Sequence, residues 1–178
     1  MTVRPSLAAH IQSVNAPWVS LLVCKPDQKP EGMARPPDGF VTKVLKGKNC
    51  RKTAGLFAEF SRGLHFPEYF GSNWDALEEC LADLEWLPAR GYVLILTDAE
   101  EILRENEEEY ATFLEILNDA GEAWGSGQAR GRPVPFHALF AIAERHRRAR
   151  SNWGIDEMDI GKPVKPVKKS IRSRSGHR

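Results

Sequence analysis

Cysteine is scarce in this sequence of 178 residues: Cys24, Cys50 and Cys80 are odd in number and widely spaced. They form no CxxC pair and no metal-ligand pattern, which excludes a disulfide framework and a structural zinc site. A reducing, cytoplasmic setting is the expectation that follows. Long apolar runs are also missing. None approaches the roughly 20 residues of a membrane span, and residues 1–18 lack the sustained apolar core of a signal peptide. Catalytic signatures are absent as well. The histidines at His10, His65, His137, His146 and His177 have no HExxH spacing, and neither a GxSxG elbow nor a Gly-rich loop followed by Lys-Ser/Thr occurs. No enzyme, no cofactor and no metal are expected from these residues.

The composition is otherwise ordinary for a globular protein, with 42% apolar and 28% charged residues. The net charge of +1 conceals a division. Residues 55–125 hold three Lys/Arg against 17 Asp/Glu, a balance of −14, whereas residues 144–178 hold 11 against four, a balance of +7. An acidic surface of that excess repels nucleic acid and attracts basic proteins. The basic end, with few apolar residues, is expected to be a disordered tail, and it is the only part suited to nucleic acid.

Strands and helices alternate along the middle. Gly39–Leu45 predicts a strand, and Thr53–Leu64 a helix with Leu56, Phe57, Phe60 and Leu64 at helical spacing. The continuous apolar run Tyr92–Leu96 suits a strand buried on both faces of a parallel sheet. Asn106–Ala123 predicts a helix whose outer side carries Glu107, Glu108, Glu109, Glu115 and Asp119, and Phe136–Ile142 the last strand. This pattern predicts an α/β fold with a small parallel sheet packed by helices. Residues 1–38 read as an extension, loosely ordered to residue 17, with a possible strand near Val19–Val23 and a proline-rich loop after it. The expected division is therefore 1–38, 39–143 and 144–178.

The stretch from Leu64 to Leu87 is the most informative. Phe66-Pro67-Glu68-Tyr69-Phe70-Gly71 is a loop that displays aromatic rings, and Ser72 or Asn73 caps the helix after it. Trp74, Leu77, Cys80, Leu81 and Leu84 share an apolar arc, which extends the helix towards Pro88. Asp75 and Glu79 fall opposite, stacked four residues apart. A solvated helix face explains these carboxylates. So does a docking surface aimed at something basic.

Phe66-Pro67-x-Tyr69-Phe70-Gly71-x-Asn73-Trp74-Asp75-Ala76-Leu77-x-x-Cys80-Leu81 resembles the central motif of the barstar family, intracellular inhibitors of secreted ribonucleases. The resemblance extends more loosely over about 39–140. It implies a three-stranded parallel sheet packed by helices, with the strand near Val19–Val23 as an addition. It also implies that loop and helix plug a ribonuclease active site through Tyr69, Phe70, Asn73, Asp75 and Glu79, with Asp119 on the later helix. Two positions depart from the family's best-known inhibitor, which has Asp where this chain has Glu79 and Trp where it has Glu78. The implied partner is a basic ribonuclease, with no membrane and no small-molecule substrate. The alternative is a non-inhibitory interaction module using the same acidic face, its basic tail binding nucleic acid or a regulator.

Overall fold

The computed structural model describes residues 6–158. Four strands, β1 (Val19–Cys24), β2 (Phe40–Lys46), β3 (Gly91–Thr97) and β4 (Phe136–Ala143), form one sheet in the order β1-β4-β3-β2. Every pairing is parallel, with Val19 opposite Ala138, Leu94 opposite Ala138 and Val41 opposite Tyr92. The strand expected near Val19–Val23 as an addition is β1, which joins the same sheet as a full edge strand with all six residues buried, so the sheet has four strands where the family resemblance implies three.

Successive residues of a strand face opposite sides, and here each side has its own core. Tyr92, Leu94, Leu96, Phe136, Ala138 and Phe140 face the helices α3 (Thr53–Leu64), α4 (Trp74–Asp83) and α5 (Tyr110–Gly125). Val93, Ile95, Leu139 and Ala141, with Leu22 and Cys24 of β1, face a smaller layer. That layer contains Leu7 and Ile11 around the short helix α1 (Leu7–His10), and Met33 and Ala34 around α2 (Pro30–Met33). The double burial of β3 accounts for its unbroken apolar sequence. The expectation of a loose arm over residues 1–17 fails within its described part: Ser6 caps α1, and Leu7, His10 and Ile11 are buried.

α3 has the predicted bounds, and its Glu59 closes the helix onto the sheet. This buried carboxylate accepts from the Lys46 N–H at 2.8 Å and the Asn49 amide at 2.8 Å, and pairs with Arg62 at 2.7 Å. Burial alone would push its pKa up. The hydrogen bonds from Arg62, Lys46 and Asn49 outweigh that and hold it below the usual carboxylate range. α4 stops at Asp83, short of Pro88, because Leu84 turns left-handed (φ 44°) and its N–H bonds back to Cys80. α5 begins at Tyr110, after a 3₁₀ turn over Glu107–Glu109. Its Gly121 lies so close to Trp18 that a Cβ there would meet the indole at 2.2 Å.

The chain after Ala143 is not disordered from residue 144 as expected. Trp153 is buried in the main core, its indole N–H donates to the Arg147 carbonyl at 2.9 Å, and its own carbonyl accepts from the Tyr110 hydroxyl at 3.1 Å. The Arg150 guanidinium lies 4.0 Å over the Tyr110 ring and donates to the Ile102 carbonyl. Leu21 N–H donates to Asp156 and Met158 N–H to Leu21, so this strap pairs with the outer edge of β1. Charge composition averages over the segment, whereas one large ring with matched hydrogen bonds is enough to dock it. The expected tail beyond Met158 lies outside the described residues.

Candidate functional site

The loop between α3 and α4 is built on a cluster of rings. His65 ends α3 in the left-handed conformation (φ 53°), and the Phe66 N–H then bonds back to Ser61 at 2.9 Å. Phe66 turns inward and meets Phe70 edge-on at 4.9 Å and Trp86 at 6.0 Å. Phe57 meets Trp74 at 4.9 Å and Phe70 at 6.2 Å. A tight turn, closed by Phe70 N–H to the Pro67 carbonyl at 3.0 Å, leaves Tyr69 outside this cluster with 76% of its surface exposed. Edge-to-face pairs of this kind stiffen a loop that has no regular backbone hydrogen bonding.

Of the two capping candidates, Asn73 is the cap. Its Oδ1 accepts from Ala76 N–H at 2.8 Å and its Nδ2 donates to the Gly71 carbonyl at 3.3 Å. Ser72, in the left-handed region at φ 49°, turns the chain into it. The first turn of α4 is tied down from the other side: the Trp74 indole donates to Glu109 Oε2 at 3.2 Å, and the Thr53 hydroxyl donates to the same oxygen at 2.5 Å. Glu109 is therefore a half-buried hinge pin between α3, α4 and α5, and not part of a solvated acidic face.

With Leu77, Cys80 and Leu81 buried, α4 presents Asp75 and Glu79 along its exposed crest. Asp83 continues the row one turn later. A depression of about 120 Å³ lies on the loop side, lined by Tyr69, Phe70, Ala76, Glu79, Cys80 and Asp83. A second, of about 290 Å³, lies on the α5 side and includes Glu78, Ala82, Asp119 and Glu122. The six residues singled out from the sequence are thus distributed as follows. Tyr69, Phe70 and Glu79 line one depression, Asp75 stands one turn from Glu79, Asp119 stands across α4 in the other, and Asn73 supports the loop. Phe70 is half-buried among rings, so the loop offers one free aromatic side chain and not two. Glu78 stood out in the sequence only as a departure from the family's best-known inhibitor, and Glu122 not at all; their position beside Asp119 depends on how α4 packs on α5, which spacing within either helix does not reveal.

The field over this surface is negative. Desolvation raises the pKa of Tyr69, and the neighbouring Cys80, Asp83, Glu85 and Glu79 raise it further, so its hydroxyl remains a donor. Burial, then Asp83 and Glu79, push the Cys80 thiol up as well, which keeps it a neutral packing group. Next to α4, Arg130 stacks over Trp124 at 5.5 Å, donates to the Asp83 carbonyl at 2.8 Å and stands 3.9 Å from its carboxylate. No helix among the described residues is long and apolar enough to cross a membrane.

Two comparisons complete the description. The family model described as Barstar (barnase inhibitor) matches residues 40–141, which run from the start of β2 almost to the end of β4. Among curated proteins, none matches the chain.

Proposed function

The chain belongs to the barstar family, and from that premise we propose that it inhibits a basic ribonuclease by occupying its active site. The observation that carries this reading is the row Asp75, Glu79, Asp83 on the crest of α4 beside the projecting Tyr69. A nuclease site that grips phosphates is lined by cations. Carboxylates spaced one helical turn apart, about 5–6 Å between Cβ atoms, offer such a site anionic groups in place of phosphates. Tyr69 fills the room beside them where a base would stack. Asp119, with Glu78 and Glu122 across the helix, meets a further cation at the rim of the contact.

Inhibition of this kind requires no bond to be made or broken. The ring cluster, the Asn73 cap and the Glu109 pin hold the surface in shape before the partner arrives, which limits the ordering cost of binding. The acidic excess of residues 55–125 adds long-range attraction and speeds encounter. The test is titration of secreted-type basic ribonucleases with the purified chain, following RNA cleavage. Loss of activity in proportion to added chain, ending at a one-to-one ratio, is the expected result. A complex that forms while cleavage continues would replace this reading with the non-inhibitory module.

A further inference from the structure

Two buried imidazoles lie in the smaller layer, on the opposite face of the sheet from the surface described above. His10, the last residue of α1, is 3% exposed, and His137, the second residue of β4, is fully buried. Their ring centroids are 4.5 Å apart, tilted by 52°. His137 Nε2 stands 2.7 Å from the Ser13 carbonyl, so this nitrogen carries a proton and donates it. His10 Nε2 is 3.4 Å from the Ser20 hydroxyl of β1. The pair thus joins the N-terminal segment to β1 and β4 together.

Among the described residues, no charged side chain on the elements around the pair is there to balance a positive charge. Residues 6–24, which include α1, the connection after it and β1, carry no Asp, Glu, Lys or Arg. Neither does β4, nor β3 beside it. The titratable group facing each imidazole is the other imidazole. In the same layer Cys24 is held as a thiol, first by burial and then by Glu31, whose own side chain is on the exposed part of α2. A proton added to either ring would be a desolvated cation against a second imidazole, with no carboxylate beside it among the described residues.

We propose that His10 and His137 form an acid-sensitive latch: the N-terminal segment around α1 stays seated on the sheet while both rings are neutral, and protonation releases it. Release uncovers the apolar face formed by Leu22, Val93, Ile95, Leu139 and Ala141. Burial, and secondarily His137, lower the pKa of His10 from 6.5 to about 4. Burial also lowers that of His137, against the opposing hydrogen bond to the Ser13 carbonyl. The open form therefore takes up protons that the closed form refuses. The latch is at full strength above pH 6.5 and weakens as pH falls from there towards 4. From His10 alone, the opening equilibrium at pH 5.0 should exceed that at pH 7.5 about 30-fold.

Amide hydrogen exchange of the full chain, corrected for the intrinsic pH dependence of the chemistry, measures this directly. The probes are the N–H groups of His10, Ile11 and Ser13, which bond to Ser6, Leu7 and His10, with the β3 amides as reference. In the parent, the three probes should open at least tenfold more at pH 5.0 than at pH 7.5 while β3 stays protected. The double variant His10→Leu/His137→Gln, in which the new amide can still donate to Ser13, should lose this pH dependence. An equal pH response in the double variant, a parent response below threefold, or parallel loss of β3 protection would each overturn the latch. If the double variant does not fold, proton NMR titration of the parent imidazoles decides. Rings that stay neutral until probe protection is lost support the latch, and a ring that titrates near 6.5 with protection intact refutes it.

Discussion

Replacing Glu79 by alanine separates folding from binding. Glu79 is exposed, makes no hydrogen bond or ion pair among the described residues, and has Asp75 four residues before it and Asp83 four after. Each like-charge pair at that spacing costs on the order of 0.2–0.5 kcal/mol, and alanine has the higher helix propensity by a few tenths of a kcal/mol. Arg130 beside Asp83 reduces the second repulsion. Together these make Glu79→Ala more stable than the parent by about 0.5–1 kcal/mol, which raises the melting temperature by roughly 1–4 °C. Binding should change in the opposite direction. In the proposed complex the carboxylate is desolvated against Arg or Lys of the ribonuclease, and its removal leaves that cation buried and unpaired. The expected cost is at least about 2 kcal/mol, or roughly 30-fold in Kd, expressed mainly in the dissociation rate. Calorimetric melting of both proteins, followed by titration against an inhibited ribonuclease at two salt concentrations, gives both numbers. A variant that is destabilised by more than about 1 kcal/mol, or that binds as tightly as the parent, would refute the placement of Glu79 on a free crest aimed at the partner.

Other perturbations test different parts of the structure. Glu108→Ala, in the exposed 3₁₀ turn, should leave the dissociation rate unchanged and slow association at low salt only, as read by stopped-flow mixing. Glu59→Gln leaves the Lys46 and Asn49 donors with a poorer acceptor and should cost about 2–4 kcal/mol at pH 7 in urea unfolding. Because the folded pKa of Glu59 lies below its unfolded value, the stability it contributes is present above the unfolded value and is lost as pH falls through the folded one; the gap between parent and variant should narrow in acid. Gly121→Ala should destabilise by about 1–3 kcal/mol despite the better helix former, since the new methyl collides with Trp18. A chain ending at Ala143 should be less stable by about 3 kcal/mol or more than one ending at Met158, because it lacks Trp153.

The parts of the fold that were legible in the sequence are those where a residue's neighbours along the chain are also its neighbours in space. Leu56, Phe57, Phe60 and Leu64 set α3 to the residue, and the run from Tyr92 to Leu96 announced a strand covered on both sides. The end of α4 was not legible, since Leu84 adopts a left-handed conformation that glycine usually marks. Glu109 looked like one more acidic surface residue because its partners, Thr53 and Trp74, are distant in sequence and come together only when three helices pack. Trp153 was concealed among arginines for the same reason, and α1 by its brevity. On the candidate surface the motif identified the loop and the crest, whereas the meeting of Glu78 and Glu122 with Asp119 became visible only with the groove between α4 and α5.

The strand order has a consequence for how the chain acquires its shape during synthesis. β1 ends at Cys24, yet its partner β4 begins only at Phe136, and the strap that covers its other edge comes later still. A nascent chain therefore carries an apolar strand with both edges open until nearly the whole domain has left the ribosome. Such long-range parallel pairing is slow to form, and open strand edges invite pairing with other chains. β2 and β3 also lack a seam to β1 until β4 inserts between them. Sheet closure therefore waits for β4, the last of the four strands to be synthesised, which pairs with both β1 and β3.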